Sequence, residues 1–111
     1  MIRKEPWMQS VSKEQFSEII GQSQKLVVVD CGAAWCGPCK KLTPILEELG
    51  VSMGEKIDVV YVDVGEQPAL AREHGVMSLP TVLFFKNGEI LDRIIGLVGK
   101  DKIIEKINSL A

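Results

Sequence analysis

The chain alternates between short runs of β-branched residues and stretches whose apolar positions recur every three or four residues. A first short stretch, Trp7–Val11, reads as extended. Ser12 with Gln15 three residues later forms a capping box. Phe16, Ile19 and Ile20 follow at helical spacing, with Gly21 as the expected stop. The run Lys25–Asp30 carries Leu26 and three successive valines, which suits a central strand covered on both faces. A loop through Ala33, Ala34 and Trp35 leads to a helical segment from about Cys36 to Leu49. Leu42, Ile45, Leu46 and Leu49 give that segment one apolar face, and Pro44 should kink it. Ile57–Val64 reads as a second buried strand, so strand, helix and strand form a right-handed βαβ unit. A short helix around Pro68–His74 stops at Gly75. Thr81–Lys86, Asn87-Gly88 and Glu89–Ile95 carry a strong hairpin signal. Lys100–Leu110 closes the chain as a helix with Ile103, Ile104, Ile107 and Leu110 on one side. The order β-α-β-α-β-α-β-β-α predicts an α/β domain with a central mixed five-stranded sheet and four helices on its two faces.

Length and composition narrow this picture. The 111 residues suit a single domain spanning positions 1–111. Hydrophobic residues make up 46% and charged residues 25%, an ordinary globular mixture. The net charge is -2 and the basic residues are scattered. No basic stripe interleaved with aromatics exists, so a nucleic-acid partner has little support and none is expected. The opening MIRKEPWMQS has no apolar run of signal-peptide length, and the longest apolar runs are strand-sized. A soluble, cytoplasmic protein without membrane attachment is the expectation.

The three cysteines are too few for a stapled scaffold, and their clustering at 31, 36 and 39 points to local chemistry. Cys36-Gly37-Pro38-Cys39 opens a helix directly after a buried strand. The two-residue spacer keeps both sulfurs on one helical turn. Cys36 falls at the helix N-terminus, where unpaired amides and the macrodipole favour an anion. A free thiol near pKa 8.5 is only a few per cent thiolate at neutral pH. The dipole supplies roughly 0.3–2 kcal/mol, and about 1.4 kcal/mol lowers a pKa by one. The upper half of that range brings the thiol close to neutrality, where an attacking thiol works best. Cys36 is therefore the expected nucleophile and Cys39, inside the first turn, the resolving thiol. Pro38 stiffens the turn where its missing N–H costs little.

The competing reading is a metal or iron–sulfur site built on Cys31, Cys36 and Cys39. Zinc needs a second ligand pair, and the chain has one histidine. The Cys31-x4-Cys36-x2-Cys39 spacing matches part of the plant-type ferredoxin pattern but lacks its fourth cysteine. A second alternative is a binding module whose dithiol is vestigial, and the intact C-G-P-C argues against it. On the residues alone, Asp30 is a strand-end acid that starts a turn. His74 reads as a solvated cation at a helix end, and Tyr61 as a structural strand residue.

Trp35-Cys36-Gly37-Pro38-Cys39-Lys40 after a hydrophobic strand ending in Asp30 resembles the thioredoxin family. The likeness runs from about Val11 to Ala111. It includes Pro44-Ile45-Leu46, Leu79-Pro80-Thr81, Phe84-Phe85-Lys86-Asn87-Gly88-Glu89 and Gly96. It implies the thioredoxin fold and a general protein disulfide reductase that needs no bound cofactor. The implied partners are disulfide-containing target proteins and a thioredoxin reductase, either a flavoprotein or a ferredoxin-linked enzyme, serving a monomer. By the same resemblance, Asp30 is the buried acid that takes the proton of Cys39, through water. Pro80 is implied to follow a cis bond and pack against the dithiol, with the Leu79 backbone pairing with substrate. Trp35, Gly37, Pro38, Gly75, Val76, Met77 and Gly96 would line the substrate groove around Leu79 and Pro80.

The chain departs from the family pattern at the strand exit, Asp30-Cys31-Gly32-Ala33-Ala34-Trp35. Gly32 stands in place of a large aromatic, which is expected to loosen the loop and alter solvent access to Asp30. Cys31 replaces a core phenylalanine and, by strand alternation, faces away from Asp30 as an inert buried thiol. Tyr61 stands where many relatives carry a lysine, and Met77-Ser78 alters the groove.

Overall fold

The computed structural model describes residues 10–111. The elements run α1 (Lys13–Gln22), β1 (Leu26–Gly32), α2 (Gly37–Ser52), β2 (Ile57–Asp63), α3 (Pro68–Glu73), β3 (Thr81–Lys86), β4 (Glu89–Ile95) and α4 (Lys100–Leu110). The strands form one sheet in the order β2-β1-β3-β4. β1 pairs with β2 in parallel and with β3 antiparallel, and β3 pairs antiparallel with β4.

The continuous apolar run of β1 is explained by its place. All seven of its residues are buried, because helices cover both faces of the strand. Leu26 and Val28 meet Leu42, Leu46 and Leu49 of α2 and Ile103 and Ile107 of α4 on one face. Val27, Val29 and Cys31 meet Phe16 of α1 and Leu70 of α3 on the other. Strand alternation thus sends Asp30 toward the α2 face and Cys31 away from it.

Local signals hold at most boundaries. The capping box is formed: the Gln15 amide donates to Ser12 Oγ at 3.1 Å and the Ser12 amide to Gln15 Oε1 at 2.9 Å. The Asn87-Gly88 hairpin turn has φ of 54° and 81°, the paired positive values of a type I′ turn. Helix α1 does not stop at Gly21. It continues to Gln22, where the Ser23 amide closes it on the Ile19 carbonyl at 2.9 Å.

The expected five-stranded sheet is corrected to four strands among the described residues. The expected first strand, Trp7–Val11, lies mostly outside the described residues. Its described end runs parallel to β2 as a single Ser10–Tyr61 bridge, with the Val11 amide donating to the Tyr61 carbonyl at 3.0 Å.

Phe84 is fully buried at the centre of the core on the α2 face. Phe84→Ala should cost about 3–5 kcal/mol by lost burial and the cavity left behind. Urea unfolding of the oxidised protein should show a lower midpoint with an unchanged slope.

Candidate active site

The dithiol sits where β1 hands over to α2. Ala33 accepts a backbone bond from the Cys36 amide at 3.1 Å, which turns the chain sharply before the helix. Cys36 is the N-cap of α2, and its sulfur accepts the Cys39 amide at 3.2 Å. Cys36 thus does the work of the usual serine or aspartate cap. Gly37 and Pro38 fill the first helical positions, where the absence of a proline N–H is harmless. Cys36 and Cys39 are paired as a disulfide with Cα atoms 5.3 Å apart. Both are buried, Cys39 more deeply, in a small cluster with Ala33 against which Val64 and Leu79 pack.

Asp30 is 1% exposed. Its Oδ2 accepts the Thr43 hydroxyl at 2.7 Å, while Oδ1 is buried without a protein partner among the described residues. Burial pushes its carboxyl up to about 6, opposed by the Thr43 hydrogen bond and assisted by the negative charge of Glu47. Such a group can accept a proton near neutrality. A cleft of about 300 Å³ reaches Thr43, its hydroxyl donor, and is lined also by Ala33, Ala34, Cys39, Glu47 and Tyr61 among others.

The remaining sequence candidates divide by position. The Leu79–Pro80 bond is cis, Leu79 packs on the dithiol cluster and Pro80 is buried. The Gly96 amide donates to the Pro80 carbonyl at 2.8 Å. Arg93 Nη1 donates to the Gly75 carbonyl at 3.3 Å, which ties this loop to β4. Trp35 and Met77 are exposed, at 74% and 95%. Gly37 and Pro38 are also at the surface. Val76 differs, since its side chain packs into the core on the α1 and α3 face.

Two expectations are overturned. His74 is not a solvated cation: its ring stands 5.3 Å from Phe16 and 5.4 Å from Phe85, and burial lowers its pKa. Gly32 does not loosen the strand exit. It is the buried last residue of β1, its carbonyl accepts the Val64 amide at 2.9 Å, and Cys39 and Tyr61 crowd its bare face. Thr43 and Glu47 went unnoticed in the sequence. Their signal is spacing, since they follow Cys39 by four and eight residues on one helical face.

The iron–sulfur alternative fails on geometry. Cys31 is a free buried thiol on the opposite face of β1 from the pair, and burial pushes it up to about 12. Among the described residues, no cluster of three or more His, Cys, Asp or Glu side chains could hold a metal.

A helix-capping cysteine pair on this α/β sheet defines a dithiol–disulfide oxidoreductase. The thioredoxin family profile matches residues 7–109. Thioredoxin of Rickettsia bellii is 40% identical over 100 residues, covering 90% of this chain and 95% of that one. Thioredoxin of Bacillus subtilis is 43% identical over 86 residues, covering 78% and 83% respectively. The structure of a mutant thioredoxin from Halobacterium salinarum NRC-1 superposes with a TM-score of 0.83 at 31% identity, covering 90% of this chain and 86% of that one. The chain belongs to the thioredoxin family. It exchanges its Cys36–Cys39 pair with disulfides of target proteins and is reduced in turn by a thioredoxin reductase.

Asp30 also has a thermodynamic consequence. Its native value of about 6 lies above the ordinary 3.8, so folding takes up a proton between these values. Stability therefore falls as pH rises from about 4 to about 6 and stays lowered above, by about 3 kcal/mol at about 1.4 kcal/mol per pH unit. Asp30→Asn should be more stable than wild type by up to that amount at pH 8, with the advantage gone near pH 4. Denaturant titrations at both pH values check this, and a difference independent of pH contradicts it.

Proposed function

We propose that the protein is a general disulfide reductase in which Cys36 attacks, Cys39 resolves and Asp30 moves the proton. The observation that carries this reading is the N-cap position of Cys36, whose sulfur faces the first-turn amides of α2. Those amides and the helix dipole favour the thiolate at that position over the one three residues on.

The Cys36 thiolate attacks one sulfur of a substrate disulfide. A bond forms between Cys36 and that sulfur, and the other substrate sulfur leaves as a thiolate. Cys39 gives its proton toward the Asp30 carboxylate, with water in the adjoining cleft as the carrier. The Cys39 thiolate then attacks Cys36, the Cys36–Cys39 disulfide forms and the second substrate thiolate leaves. Two electrons pass from the dithiol to the substrate.

The substrate lies across the rim made by Trp35, Gly37, Pro38, Gly75, Met77, Leu79, Pro80 and Gly96, with the Leu79 backbone as its pairing edge. Val76 contributes only backbone to this rim, because its side chain packs into the core. The exposed Trp35 and Met77 offer apolar contact to an unfolded or extended segment. A monomer leaves that rim free for targets and reductase in turn. Its reductase, whether a flavoprotein or a ferredoxin-linked enzyme, engages the same rim. A dithiol that works as a reductant belongs in a reducing compartment, which favours the cytoplasm.

Cys39→Ser should accumulate mixed disulfides between Cys36 and target proteins, visible on non-reducing gels and cleared by dithiothreitol. Cys36→Ser should lower insulin reduction to the dithiothreitol background and trap nothing. Wild-type turnover by Cys39→Ser would overturn the assignment of roles.

A further inference from the structure

The bare face of Gly32 is occupied rather than open. A Cβ placed there would lie 3.3 Å from Cys39 Cβ, 3.3 Å from Tyr61 Cε1 and 3.4 Å from Cys39 Sγ. The edge of the Tyr61 ring and the resolving cysteine therefore converge on the same point. The sheet register explains why. Tyr61 of β2 stands directly beside Asp30 of β1, and Gly32 stands beside Asp63. All four project toward α2, so the Tyr61 ring leans across the diagonal to Gly32. A Cβ at position 32 would be tight against it, and the ring or Cys39 would have to give by a few tenths of an ångström.

The same ring forms one wall of the cleft that reaches Cys39 and Thr43, the hydroxyl donor to Asp30. Its phenol O–H points to Asp63 Oδ2 at 3.5 Å. The ring edge, and not the hydroxyl, is thus what meets the Gly32–Cys39 surface.

We propose that Tyr61 is a positioning residue for the resolving half of the reaction: its ring, admitted by Gly32, limits how much water enters the cleft that reaches Cys39 and Thr43, the hydroxyl donor to Asp30. This rests on the roles given above to Asp30 and Cys39. The physical effect runs through desolvation, the largest influence on Asp30. A ring that narrows the cleft to the carrier water, without room for a full hydration shell, holds the carboxyl high, and removal of the ring lets more water solvate the anion and lowers it.

The groups that face Asp30 are few. Helix α2 contributes Thr43 and Glu47, with Lys40 at the cleft rim and the Cys39 thiol near its first turn. Strand β2 contributes Tyr61 and Asp63, the latter acting on Tyr61, and β3 places apolar Val82 opposite. Cys31, the next residue on β1, is raised in turn by the Asp30 charge. Tyr61 itself is pushed up to about 12, mainly by burial, and brings no charge at neutral pH.

The test is the pH titration of the Asp30 carboxyl carbon by nuclear magnetic resonance in the oxidised protein. Wild type should titrate near 6, and Tyr61→Phe, which keeps the ring, should match it. Tyr61→Thr, which keeps strand propensity but removes the ring, should titrate lower by about half a pH unit or more. Equal midpoints in all three proteins overturn the proposal. If Tyr61→Thr does not fold, Tyr61→Val takes its place. Wild type gives an independent check, because Tyr61 ring protons should show a nuclear Overhauser contact to the Gly32 Hα protons. Its absence also overturns the proposal. Neither readout depends on turnover, so loss of insulin reduction by wild type would instead count against the proposed function.

Discussion

The hydrogen bond from the Cys39 amide to the Cys36 sulfur is the contact on which the rest of the site depends. It makes a cysteine the cap of α2, so the group that ends a chain of unpaired amides is also the group that must become an anion. Everything upstream serves to hold that cap in place. The fully buried β1 delivers the chain to one fixed point, and the Cys36 amide to Ala33 carbonyl bond turns it. Everything downstream uses it, since the helical turn fixes Cys39 beneath Cys36 and places Thr43 against Asp30.

The division between exposed and buried members of the site follows from the same geometry. Trp35 precedes the cap and projects outward, as Met77 does from the loop before the cis proline. Asp30 and Cys39 lie behind the cap in a region where a charge is costly. Oδ1 has no protein partner among the described residues, so burial leaves the Asp30 anion poorly stabilised. In the proposed mechanism, a carboxyl held at about 6 is suited to exchange protons at the pH where the thiols work.

Much of this was legible in the residues. The β-branched run, the capping box, the Asn87-Gly88 turn and the C-G-P-C tetrapeptide each carry a local physical signal, and each appears where that signal puts it. What sequence could not show are contacts set by register between strands. The fit of Tyr61 over Gly32 depends on β1 and β2 pairing with Asp30 beside Tyr61. Set against the pattern of the resembling family, Gly32 implies a missing aromatic and a loosened exit. In three dimensions the missing volume is supplied from the neighbouring strand. His74 misled for a similar reason: a helix-end histidine reads as solvated until Phe16 and Phe85 close around it. Thr43 and Glu47 carried a helical-spacing signal, yet nothing local marks them as partners of Asp30.

In the proposed mechanism the N-cap position gives Cys36 the reactive thiolate and leaves the other thiols protected. Limited alkylation of the fully reduced protein with substoichiometric iodoacetamide at neutral pH, read out by tandem mass spectrometry, tests this most directly. Label is expected on Cys36 first, with Cys39 and Cys31 unmodified until Cys36 is consumed. Label on Cys39 or Cys31 at a rate equal to that of Cys36 would contradict it.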